Sequence, residues 1–151
     1  MDDLIAKAEM LIGCSAMEAF QAFAEPERIT KFWLKSTTGP LAPDAQVKWE
    51  FMVPGAIERV VVKAFTPHDH IAFSWSEGKL NVDLKFSETQ SGVTIVSAMV
   101  RGFERDNGIG QVVDATEGFS IVLCDLKILL ETGRSANLVR DKAELIQCTS
   151  P

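Results

Sequence analysis

The feature that most limits what this 151-residue chain can fold into is a change of hydrophobic period late in its length. Between residues 46 and 100 apolar side chains recur at every second position, and from about residue 108 to 133 they recur at helical spacing. Val47, Trp49, Phe51 and Val53 alternate with Gln46, Lys48, Glu50 and Met52, as a strand with one wet and one buried face requires. Ile71, Phe73 and Trp75 alternate in the same way, as do Leu80, Val82, Leu84 and Phe86 against Asn81, Asp83 and Lys85. Residues 57–65 and 93–100 are rich in β-branched side chains, which suit strands. Pro54-Gly55, Glu77-Gly78-Lys79 and Gln90-Ser91-Gly92 mark the turns between them. Connections this short predict an antiparallel meander.

The helical stretch has a cap signal at Arg105-Asp106-Asn107 and a stop at Gly133. On a helical wheel Val112, Ala115, Thr116, Phe119, Val122, Leu123, Leu126 and Leu130 share one face. That face is about 25 Å long at 1.5 Å per residue, enough to cross a whole sheet. Gly118 lies on its flank, where a glycine costs roughly 1 kcal/mol against alanine, so a close backbone approach is expected there. Ile121, Cys124 and Ile128 form a second apolar line that needs a cover. The tail residues Ala136, Leu138, Val139, Leu145 and Ile146, or a second copy of the chain, would supply it.

Before the meander, residues 4–12 read as a strand and Ser15 with Glu18 as a capping box. The helix that follows puts Met17, Phe20, Phe23 and Ala24 on one face and stops before Pro26. Pro26 opens a second short helix ending at Phe32-Trp33, and residues 35–44 read as a loop. The expected order is β-α-α-β-β-β-β-β-α: an α+β fold with a curved antiparallel sheet of about six strands around one long C-terminal helix. Residues 1–134 make the domain. Residues 135–151 form a tail that packs on it or at a subunit contact.

A net charge of −6 with no basic patch excludes the footprint that nucleic acid demands and disfavours an anionic membrane surface. No apolar run approaches the roughly 20 residues of a membrane span. The acidic Met1-Asp2-Asp3 start is unlike an export signal, and Cys14, Cys124 and Cys148 fit reduced thiols in a cytoplasmic protein. Neither a CxxC zinc motif nor a phosphate-binding glycine loop is present, and no cofactor is implied.

Several phrases, in this order, resemble the START-like superfamily known as SRPBCC. Within it they resemble the branch named for the ATPase activator of the ninety-kilodalton heat-shock chaperone. The stretch from Ala24-Glu25-Pro26 to Phe32-Trp33 looks like that branch's helix phrase ending in paired aromatics. Val47-Lys48-Trp49-Glu50-Phe51 and Ile71-Ala72-Phe73-Ser74-Trp75 are similar to two of its strands. Glu117-Gly118-Phe119 through Thr132-Gly133 looks like its closing helix, and Asn137-Leu138-Val139-Arg140-Asp141-Lys142 resembles the tail of some bacterial members. Two positions depart from the pattern: Val100 stands where many members have histidine, and Pro43-Asp44-Ala45 replaces a glycine pair. The resemblance implies the helix-grip fold, with a hydrophobic cavity between sheet and long helix. Different members use it for lipids, sterols, polyketides, hormones or protein contacts, and a chaperone partner or a homodimer is a further expectation.

Strand parity turns Trp49, Phe51, Phe73 and Trp75 toward the long helix, where Phe119 and Leu123 face them and Trp33 lies close by. These residues, with Val60 and Glu58 on the inward side of their strand, are the expected ligand-binding set for a small apolar or aromatic molecule. The same rings could instead fill a solid core. Glu58 is the one inward carboxylate, and burial would suit it to proton transfer in a cyclase or hydrolase; at a strand end it would instead be wet and inert. His68-Asp69-His70 has a spacing that can hold a metal within a strand, yet Pro67 and Asp69 favour a turn. Cys14 and Ser15 lack a nearby base, and no catalytic set emerges.

Overall fold

Every period-two segment becomes a strand in the computed structural model, which describes residues 3–149. Met1, Asp2, Ser150 and Pro151 lie outside the described residues, and with them most of the acidic Met1-Asp2-Asp3 start and the tip of the tail. The elements are β1 (Ala6–Ile12), α1 (Ala16–Ala24), α2 (Pro26–Ile29), β2 (Leu34–Thr37), β3 (Gln46–Phe51), β4 (Ile57–Thr66), β5 (His70–Trp75), β6 (Leu80–Gln90), β7 (Val93–Arg101), α3 (Gly108–Thr132) and α4 (Leu138–Thr149). They form one antiparallel sheet in the order β1-β7-β6-β5-β4-β3-β2, so β1 crosses over to pair with the last strand.

The sheet has seven strands rather than about six. The addition is β2, in a stretch read as loop: Leu34 is fully buried and pairs with Phe51, and a register shift separates that pair from Ser36–Glu50. A four-residue strand interrupted by an irregularity shows no alternation, and Gly39, Pro40 and Pro43 just beyond it read as a loop. The second difference is α4, which the tail forms beyond Gly133.

Local signals hold in detail, with exceptions. The Ser15 hydroxyl accepts from the Glu18 amide at 3.1 Å and lies 3.2 Å from the Glu18 carboxylate. Met17 is 46% exposed, because the buried arc of α1 is centred nearer Phe23, with Ala19 and Ala22 inside it. Asn107 stands at the N-cap of α3 without a side-chain cap bond, whereas Gly133 ends the helix in the left-handed conformation (φ 79°). At Gly118 the expected close approach does not exist: a Cβ there would meet nothing within 4 Å. It does exist at Gly102 (φ 103°), where a Cβ would overlap the Lys79 carbonyl.

The long helix is latched to the first strand at one end. Lys127 Nζ donates to the Leu11 carbonyl (2.7 Å) and pairs with Glu131 (2.6 Å), while the Gly13 amide donates to the same Glu131 oxygen (2.7 Å). The core lies between the concave sheet face and α1 and α3, around Phe23, Trp49, Phe73, Leu84 and Leu126. Among the described residues no helix is long and apolar enough to cross a membrane.

Candidate functional site

The inward parity of β3 and β5 stacks aromatic rings beneath α3. Trp49 meets Phe73 at 5.2 Å and Trp33 at 5.0 Å, and Trp75 meets Phe51, Phe73 and Phe119 at 5.8, 5.5 and 5.9 Å between ring centroids. Most pairs are edge-to-face, the arrangement that brings a ring's positive rim to its neighbour's negative face. The set divides by depth. Trp49, Val60, Phe73 and Leu123 are almost wholly buried and form the core behind. Trp33, Phe51, Trp75 and Phe119 form a front row that borders an open hollow of about 250 Å³.

Three segments complete the hollow. Met52 and Val53, just after β3, continue one wall. Ala115, Gly118, Ile121 and Val122 of α3 make a second, and Val139, Lys142, Ala143 and Ile146 of α4 make the third. Lys142 is the single charged lining residue, and its Nζ lies 2.9 Å from Glu117 Oε1. The indole N–H of Trp75 is buried with no acceptor in reach among the described residues.

Glu58 keeps its inward parity, pairing in register with Trp49, yet it does not line the hollow. Its carboxylate accepts from the Ser76 amide at 2.9 Å. It thereby clamps a turn in which Ser76 (φ 53°) and Glu77 (φ 59°) both take the left-handed conformation. His68, at φ 66° in a turn, rests its ring on Phe20, while His70 Nε2 lies 2.7 Å from Asp83 on β6. The two imidazoles serve different neighbours. Among the described residues no group of His, Cys, Asp and Glu has the geometry to hold a metal. Cys14 is buried, and that burial, with Glu18 nearby, pushes its thiol up to about 11.

Sequence reasoning missed Asp125, a carboxylate sunk among Leu123, Leu126 and the tail. It accepts from the Val139 amide (3.3 Å) and the Ser135 hydroxyl (3.4 Å), and from the amides of Ala136 and Leu138. Burial raises its pKa above the ordinary 3.8, and these donors offset part of the rise. Asp125 therefore caps α4 from another helix, answering amides that open the helix. The signal was available: one acid inside an apolar run of α3, ten residues before a Ser-Ala-Asn segment.

A curved antiparallel sheet closed over one long helix, with an apolar hollow between them, defines the START-like helix-grip class. The sequence pattern of the Activator of Hsp90 ATPase homolog 1-like protein family matches residues 14–131, and the chain belongs to that family. Solved structures agree on the fold. A protein from Staphylococcus saprophyticus is 23% identical, with a TM-score of 0.76 over 87% of this chain and 94% of the other. An Aha1 from Colwellia psychrerythraea, solved in solution as a dimer, is 17% identical, with a TM-score of 0.76 over 87% and 98%. CalU16 from Micromonospora echinospora is 15% identical, with a TM-score of 0.66 over 97% and 96%. No curated protein sequence matches the chain.

Proposed function

We propose that this chain is a binding module that holds a small apolar or aromatic molecule between its sheet and long helix. The observation that carries the reading is the hollow of about 250 Å³ in front of Trp33, Phe51, Trp75 and Phe119, whose lining is apolar apart from Lys142. A hollow of this kind offers a flat ligand ring faces on one side and aliphatic groups on the other. Removal of apolar surface from water would supply most of the affinity. The front row binds, the deeper Trp49, Val60, Phe73 and Leu123 hold it in place, and no proton-carrying role is proposed for Glu58. A cytoplasmic setting, with all three cysteines free, belongs to the same reading.

A second reading, a chaperone-associated protein contact, is favoured by the family itself and by the Aha1 likeness. It needs an outer surface rather than the hollow. Mass spectrometry of the protein purified from its own cells, under native and then denaturing conditions, separates the two. A non-covalent mass lost on denaturation, and absent from Ala143→Phe because the new ring occupies the hollow, is the expected result. If Ala143→Phe retains the same mass, the molecule sits elsewhere. A wild-type protein with no bound mass moves the weight to the outer surface.

A further inference from the structure

We propose that the outer face of the sheet carries a second site, a groove that takes a short, extended, acidic segment of another protein. The hollow beneath α3 plays no part in it, and the two sites stand or fall separately. The groove measures about 860 Å³ and lies over β4 and the end of β5. Arg59, Lys63 and Lys79 line it, and Lys48 on β3 stands directly opposite Arg59 in the strand register. No basic run in the sequence announces this cluster, because the pairing of β3 with β4 and the turn after β5 assemble it. Small side chains at Ser74 and Ser76 leave the space beside the long ones of β4.

These four cations have no acid to answer them. Among the described residues none of them forms an ion pair, and Arg59 donates to the side-chain oxygen of Gln46 at 2.6 Å. Two acids border the groove, yet Glu58 is engaged by the Ser76 amide, and Glu77 pairs with no cation among the described residues. Like charges directly opposite on neighbouring strands destabilise a sheet, and Lys48 and Arg59 are placed so. A carboxylate between them removes that repulsion. Chain geometry sets the rest. Arg59, Val61 and Lys63 alternate along β4, so the two cations lie about 13 Å apart at 3.3 Å per residue, with an apolar side chain between them. An extended segment places its own same-face side chains at the same interval, so the complementary order is acid, any, apolar, any, acid. Nucleic acid is a poorer fit. A polyanion longer than the groove meets the rest of a chain of net charge −6, beyond the reach of these cations, which is about 8 Å at physiological salt.

The test is a nitrogen-15 spectrum of the wild type titrated at low salt with the acetylated, amidated peptide Ser-Glu-Ser-Val-Ser-Glu-Ser. Shifts are expected at the amides of residues 59–63 and 74–79, and glutamine in place of both glutamates should abolish them. Arg59→Gln and Lys63→Gln are each expected to weaken binding roughly fivefold, the upper worth of one exposed ion pair. Lys85→Gln, which removes an exposed cation of β6 outside the groove, should leave binding unchanged. An equal loss in Lys85→Gln, or equal binding of a peptide whose two glutamates are adjacent, overturns the groove as a specific site. Inorganic phosphate or a short single-stranded RNA that moves the same amides at lower concentration overturns the protein segment as its occupant. A wild-type dimer in native mass spectra that Arg59→Gln dissociates puts a second copy of the chain there and overturns it as well. Absence of any shift with the peptide overturns the proposal outright, and none of these results touches the reading of the hollow.

Discussion

Glu58 shows how a single residue can obey its pattern and still have another task. Its parity turns it inward, where an unpaired carboxylate would suit acid–base chemistry, but a turn one strand away offers an amide at 2.9 Å and the carboxylate takes it. Nothing in the alternation of β4 could reveal this, because the partner is 18 residues distant and becomes a neighbour only when β4 and β5 pair. Asp44 is legible in retrospect: it follows Pro43 in a loop and adopts φ 59°, a conformation that aspartate tolerates better than most residues. Cys14 yields a residue-scale prediction. A thiol held near 11 by burial has almost no thiolate at neutral pH, whereas Cys148 is exposed and Cys124 partly so. With a disulfide reagent at pH 7.5, intact-mass readings should show Cys148 modified first and Cys14 modified only after denaturant is added. Comparable rates at Cys14 and Cys148 would contradict the burial.

At the scale of elements, Gly118 interrupts α3 where no neighbour demands a glycine. Helix propensity is then the only local energy at stake, and Gly118→Ala should raise stability by about 1 kcal/mol, measured by denaturant unfolding. Because Gly118 lines the hollow, the same methyl group should reduce the affinity of any ligand lying against it. A stability gain with unchanged binding would show that the ligand avoids this part of α3. The long strands and α3 were readable because a 2.0 or 3.6 period repeats over many residues and outweighs local accidents. The short β2 and α4 were not. Leu34–Thr37 spans too few residues to show a period, and α4 depends on Asp125 of another helix for its first amides. Of the rings that border the hollow, Phe51 and Trp75 were visible as strand parity and Phe119 on the helical wheel. The third wall of the hollow was not. Of its residues only Val139 and Ile146 stand out in the sequence as a cover for Ile121, with a second copy of the chain as the alternative, and Lys142 and Ala143 do not.

Over the whole molecule, two carboxylates on α3 set opposite responses to pH. Glu131 is held low by Lys127 and the Gly13 amide, so its contribution is present above its ordinary value of 4.5 and lost as pH falls through its folded value. Asp125 is raised by burial, so its folded form binds the proton more tightly than the unfolded chain. Its contribution is full below 3.8 and declines as pH rises through the folded value. Two variants separate these effects in thermal melts across pH 3 to 7. The deficit of Glu131→Gln against wild type should be greatest at the neutral end and close on acidification. Asp125→Asn should gain relative to wild type as pH rises above about 3.8. Parallel curves for both variants would mean that neither carboxylate is perturbed in the way its neighbours imply.

The aromatic stack carries one more consequence, an optical one. The chain has three tryptophans and no tyrosine, and Trp33, Trp49 and Trp75 all belong to the stack, two of them in its front row. The tryptophan emission of the whole protein therefore originates in this stack, and two of its three sources border the hollow. Whatever enters that space announces itself in the native fluorescence, and the protein is its own label.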